Sequence, residues 1–175
     1  MIFRPIGKKD YECLNAVNKD DYNVLASLDG TPRKTTWKPI VVRCVRADKR
    51  QKQLVSDFPW LGRVLYFRER AAEVLKDMLE ENGEMLPIIT EDGVNLYVHN
   101  TFVLPNVLDE EKTSFWRVEG IDRILGVKRP VFYEKVIRGI DMFRLPFRSS
   151  ATYVSDRFVE LVAKNNLKGL EFNPV

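Results

Sequence analysis

The chain contains a single histidine, His99, and two cysteines, Cys13 and Cys44. Any Ser-His-Asp or Cys-His nucleophilic arrangement must therefore use His99, with a cysteine brought to its ring by the fold. Nothing in the spacing of these three residues predicts that approach. A histidine beside Asn100, near the end of a strand, reads as structural. The cysteines lack CxxC spacing or a Cys/His cluster, so zinc is not indicated. They read as reduced, half-buried strand residues, and a disulfide between them stays open. No catalytic residue, metal or cofactor is expected.

The remaining chemistry is charge and aromatic surface. Asp109, Glu110 and Glu111 are consecutive carboxylates. They lack the glycine-containing pattern of a calcium loop, so they read as a solvated turn or as a contact for a basic protein partner. Glu69, Glu73, Asp77 and Glu80 fall on the outer face of a helix and admit the same two readings. The basic string Arg43, Arg46, Lys49, Arg50 and Lys52 could grip phosphate, above all if Arg123, Lys128 and Arg129 extend it into a stripe. It has no interleaved aromatics, helix-turn-helix pattern or glycine-rich phosphate loop, so solvated charge is favoured over nucleic acid. Trp37, Trp60 and Trp116 sit at strand ends or loops. Packing is the plain reading, but an exposed tryptophan is a strong interface anchor.

Composition bounds these readings. Lys and Arg number 28 against 25 Asp and Glu, and the net charge of +3 is too small to argue for nucleic acid. With 45% hydrophobic and 30% charged residues the chain reads as a folded globular protein. Its 175 residues suffice for a core without metals or disulfides. One domain over residues 1–175 is expected, with an N-terminal hairpin and strand portion at 1–50. There is no apolar run of about 18 residues and no apolar leader after Met1, so a cytoplasmic protein without membrane spans is expected.

The elements that must hold these residues follow from periodicity. Residues 1–6 and 11–17 suit two strands with Gly7-Lys8-Lys9-Asp10 as the turn of a hairpin. Residues 20–37 read as loop with one helical turn, and 38–46 as a β-branched strand. An apolar loop, Asp57-Phe58-Pro59-Trp60-Leu61, anchors a short strand at 63–67. The longest helix spans about 68–81, with Ala71, Val74, Leu75, Met78 and Leu79 on its inner face. Strands at 85–89 and 94–99 flank a Thr90-Glu91-Asp92-Gly93 turn, and Pro105 makes 103–108 irregular. Strands follow at 115–118, 124–127 and 131–137.

The segment from Gly139 closes the chain with strands at 142–145 and 152–154. A second main helix at about 155–166 is capped by Ser155 and left through Asn165, Asn166 and Gly169, and a last strand covers 170–172. Strands in hairpins with two main helices give an α+β class with a mostly antiparallel, mixed sheet.

This closing segment also carries a resemblance. Phe143, Arg144 and Leu145, then Val154, Ser155, Asp156 and Phe158, then Leu167, Gly169, Leu170 and Phe172 resemble the C-terminal signature of a bacterial immunity-protein family. That family, formerly a domain of unknown function, belongs to polymorphic toxin systems. Gly83-Glu84-Met85-Leu86-Pro87, Asn100, Val107-Leu108-Asp109 and Ser114 extend the resemblance over roughly residues 55–175; residues 1–50 carry none. The resemblance implies a non-enzymatic protein that binds a cognate toxin protein and neutralises it by steric occlusion. Asp109, Glu110, Glu111 and Trp116 are the expected toxin-binding residues. Inhibitors of basic nuclease toxins are often acidic, and the positive net charge here leaves the toxin class open. The alternatives are a nucleic-acid or small-molecule binding module and, behind these, a Cys/His enzyme. A deep polar pocket holding His99 with a cysteine would mark the enzyme; a flat surface studded with anchors would mark the toxin binder. The oligomeric state is not legible.

Overall fold

The computed structural model describes residues 1–118, 120–147 and 149–175, with the backbone alone at 118 and 121–123. Alternation places the strands in three groups. β1 (Ile2–Gly7), β9 (Met142–Arg144), β10 (Thr152–Ser155) and β11 (Leu170–Pro174) form an antiparallel sheet in the order β11-β1-β10-β9. β2 (Cys13–Ala16), β3 (Ile40–Val45), β4 (Tyr66–Arg68), β5 (Gly83–Thr90) and β6 (Asn95–Thr101) form a second sheet in the order β2-β3-β5-β6-β4. Within the described strands of this sheet β3 and β5 pair in parallel. β7 (Ser114–Val118) and β8 (Ile121–Arg129) make a two-stranded ribbon interrupted by register shifts. The α+β class with mostly antiparallel pairing is therefore observed.

The expected N-terminal hairpin does not form. β1 pairs with β10 and β11, while β2 pairs with β3 in the other sheet, so residues 1–17 cross between the sheets. The four-residue turn is used for that crossing: Asp10 takes a left-handed φ of 69°, and Lys8 N–H donates to the Gly169 carbonyl at 2.9 Å rather than closing a ladder to β2.

Among the described residues five helices cover the sheets where two main ones are expected. α1 (Lys19–Ala26) replaces most of the anticipated loop. Asn18 caps it by accepting from Asp20 N–H at 3.1 Å, and only Leu25 is buried, which is why its apolar period is faint. The helix expected over about 68–81 is two, α2 (Glu69–Val74) and α3 (Lys76–Glu81), meeting at Leu75, whose ψ of 7° leaves the helical range. Its hydrogen bonds continue through the joint (Leu75 N to Ala71 O, 3.1 Å; Leu79 N to Leu75 O, 2.9 Å), so Ala71, Leu75, Met78 and Leu79 still share one buried face. The strand expected at 131–137 is also a correction. Phe132 makes one isolated bridge to Leu108, and α4 (Glu134–Ile137) then turns, with the Tyr133 carbonyl accepting from Val136 and Ile137. The helix expected over about 155–166 is observed as α5 (Asp156–Lys164), with Ser155 as its N-cap.

The faces of the strands sort the core. Phe3, Val154 and Met142 form one cross-strand row and pack with Phe58, Phe67, α2, α3 and α5, between the two sheets. Tyr153 and Phe143 face the opposite way, stacked at 5.6 Å, and carry Val107, Phe115, Val127 and Phe132. The outer face of the five-stranded sheet (Leu14, Val42, Ile88, Val98) is closed by Leu25 and Leu28.

Two polar anchors bear on these packings unequally. Glu12, 4% exposed, accepts from Arg68 (Nη2 2.6 Å, Nε 3.1 Å) and from Ser56 N–H at 3.1 Å. Removing it leaves a largely buried guanidinium without its counter-charge, held only by the Ser56 carbonyl and Cys44 Sγ, and the Ser56 amide without a partner. Ser155 caps α5 from a site where its hydroxyl also donates to Asp141 at 2.5 Å, and Asp141 keeps Arg157 if that hydroxyl is lost. Glu12→Ala is thus expected to lower unfolding free energy by about 3 kcal/mol and Ser155→Ala by about 1 kcal/mol. Urea unfolding of both variants measures the order; equal losses would contradict it.

Candidate functional site

His99 is the single imidazole of the chain. It lies fully buried in β6. One ring nitrogen, Nε2, is 2.9 Å from the Leu79 carbonyl, so it carries the proton and donates; Nδ1, 2.7 Å from Thr101 Oγ1, accepts from that hydroxyl. The imidazole thereby satisfies a carbonyl at the end of α3. Burial pulls its pKa down to about 4, against the smaller opposing effects of the Leu79 carbonyl and Glu84. Both nitrogens are committed to the protein, and β5 lies between β6 and the strand of Cys44.

The cysteines are free and on adjacent strands, β2 and β3. Cys13 stands opposite Val45 and Cys44 opposite Leu14, so the two thiols point to opposite faces. Burial pushes both thiols up, Cys44 to about 11, with Glu12 adding to each. They are poor nucleophiles.

The acidic turn is built by Asp109. Its carbonyl accepts from Lys112 and Thr113 N–H (3.2 and 2.9 Å), and its carboxylate meets Lys112 Nζ at 2.8 Å. That hydrogen bond holds the carboxyl below its ordinary pKa. Glu110 and Glu111 are exposed beside it. The turn leads directly into β7, where Trp116 stands 56% exposed with Lys128 of β8 at 5.1 Å from its ring. The other two tryptophans pack: Trp37 donates to the Pro87 carbonyl at 2.8 Å, and Trp60 covers Gly7 so closely that a Cβ there would come within 2.6 Å of the ring.

Trp116 borders a groove of about 550 Å³ between the ribbon and the four-stranded sheet, with Trp60, Phe147 and Tyr153 among its walls. Arg4, Arg63 and Arg117 also line it, and none of Asp109, Glu110 or Glu111 does. The groove meets a second cavity of about 510 Å³ at Gly62, Arg63, Leu125 and Ser149. Arg144 lines that second cavity at 4% exposure. Arg4 and Arg63 carried no recognisable sequence signal. Arg144 had one, a charge flanked by Phe143 and Leu145 in a short apolar strand.

The other charged sets are dispersed. Arg43 is held in a bidentate pair by Glu91, and β3 and β8 belong to different groups of strands. The side chain of Arg123 lies outside the described residues. On the helices, Arg70 turns to Asp57 (3.4 Å) and Lys76 to Glu80 (4.0 Å). Glu69, Glu73, Asp77 and Glu80 remain exposed. Among the described residues no group of three or more His, Cys, Asp or Glu could hold a metal ion, and no helix is long and apolar enough to cross a membrane.

Residues 95–175 match the model of an immunity protein family, Imm11. The match begins at β6 and takes in the acidic turn, the ribbon, Arg144 and the whole closing segment. No curated protein matches the chain.

The position of His99 has a consequence for pH. Its folded pKa of about 4 lies below the ordinary 6.5, so the unfolded chain binds the proton first as pH falls. Stability is expected to drop between pH 6.5 and about 4, by roughly 3 kcal/mol attributable to this ring. Urea unfolding across that range, taken as wild type minus His99→Gln, should show the slope; identical profiles would rule it out.

Proposed function

We propose that this protein is an immunity protein that binds a cognate toxin protein and neutralises it by covering its active site or a surface it needs. The observation that carries the reading is the match of residues 95–175 to an immunity protein family. The exposed Trp116 supports it, since a large aromatic side chain held on a paired strand is pre-positioned to enter a partner's pocket.

The proposed contact face is Trp116 with the turn Asp109, Glu110 and Glu111. Asp109 shapes the turn through its own hydrogen bonds, and Glu110 and Glu111 offer negative charge to the partner. Such rim charges act mainly on the rate of encounter, whereas a desolvated aromatic anchor acts on dissociation. The proposed mode is occlusion without chemistry, acting in the cytoplasm. His99 and the two thiols are occupied or deactivated by the fold, and this favours binding over catalysis.

Co-expression with the product of the adjacent reading frame tests the function. Growth should be restored and the two chains should co-elute as a stable complex; toxicity without rescue and without a complex refutes it. Within that complex, Trp116→Ala is expected to weaken binding roughly 30-fold or more. Glu110→Lys combined with Glu111→Lys should chiefly slow association, with the effect shrinking at high salt. Unchanged binding by both variants would move the contact face elsewhere.

A further inference from the structure

Arg144 is the most anomalous side chain in the protein. It is 4% exposed, yet its hydrogen bonds go only to neutral carbonyls: Nη1 to Leu28 O at 2.5 Å and Nη2 to Ser150 O at 3.2 Å. Its Nε has no hydrogen-bond partner among the described residues. No described carboxylate forms an ion pair with it, and Asp29, the acid that acts on it through space, is engaged by Thr31 and Arg33. Burial, and then the charge of Arg63, pull its pKa below the usual guanidinium value. Buried charges in folded proteins are ordinarily paired.

The surroundings indicate where the partner of this charge comes from. Arg144 lines the cavity of about 510 Å³ that shares Gly62, Arg63, Leu125 and Ser149 with the groove bordered by Trp116. Arg63 is exposed and stands in both linings, and Arg4 extends the positive charge along the groove. No described residue lining either cavity is acidic. The walls between the arginines are aromatic: Trp60, Trp116, Phe147 and Tyr153 in the groove and Tyr22 and Tyr66 in the cavity. A bare inorganic anion would use the guanidinium groups and leave these walls unfilled. A chain segment with a carboxylate beside an aromatic residue would use both.

The geometry points to this combined groove and cavity as the seat of an acidic–aromatic segment of the partner protein, whose carboxylate completes the pairing of Arg144 and Arg63. The inference rests on the toxin-binding reading and adds to it the chemistry of the partner. Trp116 is the upper wall, and the acidic turn lies outside the seat. The complex would then carry two contacts of opposite sign: Glu110 and Glu111 meeting basic groups, and the arginine seat taking a carboxylate. A guanidinium–carboxylate pair out of bulk water is also strongly directional.

The test uses the full chain labelled with ¹⁵N, observing arginine Nε–Hε signals. The probes are acetyl-Phe-Asp-Phe-amide, acetyl-Phe-Asn-Phe-amide and inorganic phosphate. The aspartyl peptide is expected to shift the Arg144 signal in a saturable way, the asparaginyl peptide to leave it in place, and phosphate to act more weakly than the aspartyl peptide. An Arg144 signal that does not move with the aspartyl peptide overturns the inference. So does phosphate matching that peptide, since this would mark a small-anion site. Because Arg144 also holds the Leu28 and Ser150 carbonyls, Arg63→Gln is the variant of choice, and it should abolish the shift while leaving the amide spectrum of the fold intact. With the toxin from the adjacent reading frame, Arg63→Gln should weaken the complex roughly tenfold or more. A wild-type complex that Arg63→Gln leaves equally tight defeats this inference and spares the immunity reading. A wild-type chain that binds no toxin, while the peptide still shifts Arg144, defeats that reading and leaves the seat standing.

Discussion

Among the described residues the two larger sheets share no strand pair, and the bridge of Val103 after β6 to Arg144 of β9 is isolated, so more than a β-ladder has to hold them together. That task falls to the loop between Leu54 and Trp60. Leu54 and Trp60 each bridge to the chain around β2, and between them Ser56, Phe58 and Pro59 dip into the interior. On one side the loop is fixed by Glu12 and Arg68, which hold the Ser56 backbone between carboxylate and guanidinium. On the other, Asp57 N–H donates to the Lys168 carbonyl at 2.8 Å and its carboxylate accepts from Lys168 N–H at 2.7 Å, at the entry to β11. Gly169 follows there with a φ of 115°, so near Ser56 that any side chain would collide with its hydroxyl. Phe58 then fills the space between the sheets against Phe67 and Phe158.

The same joint builds one wall of the groove. Immediately after it come Trp60, seated on Gly7 of β1, and then Gly62 and Arg63, where the backbone leads into β4. The opposite wall is the ribbon, and it is tethered: Ser149 Oγ donates to the Leu125 carbonyl at 2.6 Å, at a point where Gly126 leaves room for the serine. The Arg63 carbonyl in turn accepts from Thr152 N–H and its hydroxyl (3.1 and 3.2 Å), tying the first wall to β10. The groove is therefore bounded by two anchored surfaces, which keeps the ordering cost of binding low.

What could be read from the residues divides along local and non-local physics. The hairpin β5–β6, the cap at Ser155, the helix exit at Asn166 and the strands of the closing segment rest on local chemistry and were legible. The crossing of residues 1–17 between sheets was not, because β1 chooses β10 and β11 across more than 140 positions, and a turn of Gly7 to Asp10 suits a hairpin equally well. The break at Leu75 was hidden by an apolar face that continues through it. At the candidate site, Trp116 and the acidic turn could be named from their types, but which of three tryptophans stays exposed is decided by Gly7 and Pro87, distant in sequence from Trp60 and Trp37. The arginine seat was illegible for the same reason: Arg4, Arg63 and Arg144 come from three separate strands or turns and meet only in the fold.

A partner protein meets local charge, not net charge. A surplus of +3 spread over a whole chain says little about recognition. The local picture is of opposite signs held apart: carboxylates on the turn before β7, and guanidinium groups in the cleft behind it. Two small fields of opposite sign constrain a partner more than one large field, because a protein matching only one of them meets repulsion or an unpaired buried charge at the other. Arg144 holds the Leu28 and Ser150 carbonyls, but these neutral acceptors leave its Nε and its charge without a counterpart, and a buried unpaired charge is a cost to the fold. A charge that costs the isolated protein, and that lines the cavity adjoining the groove of its exposed tryptophan, is what the proposed carboxylate seat accounts for.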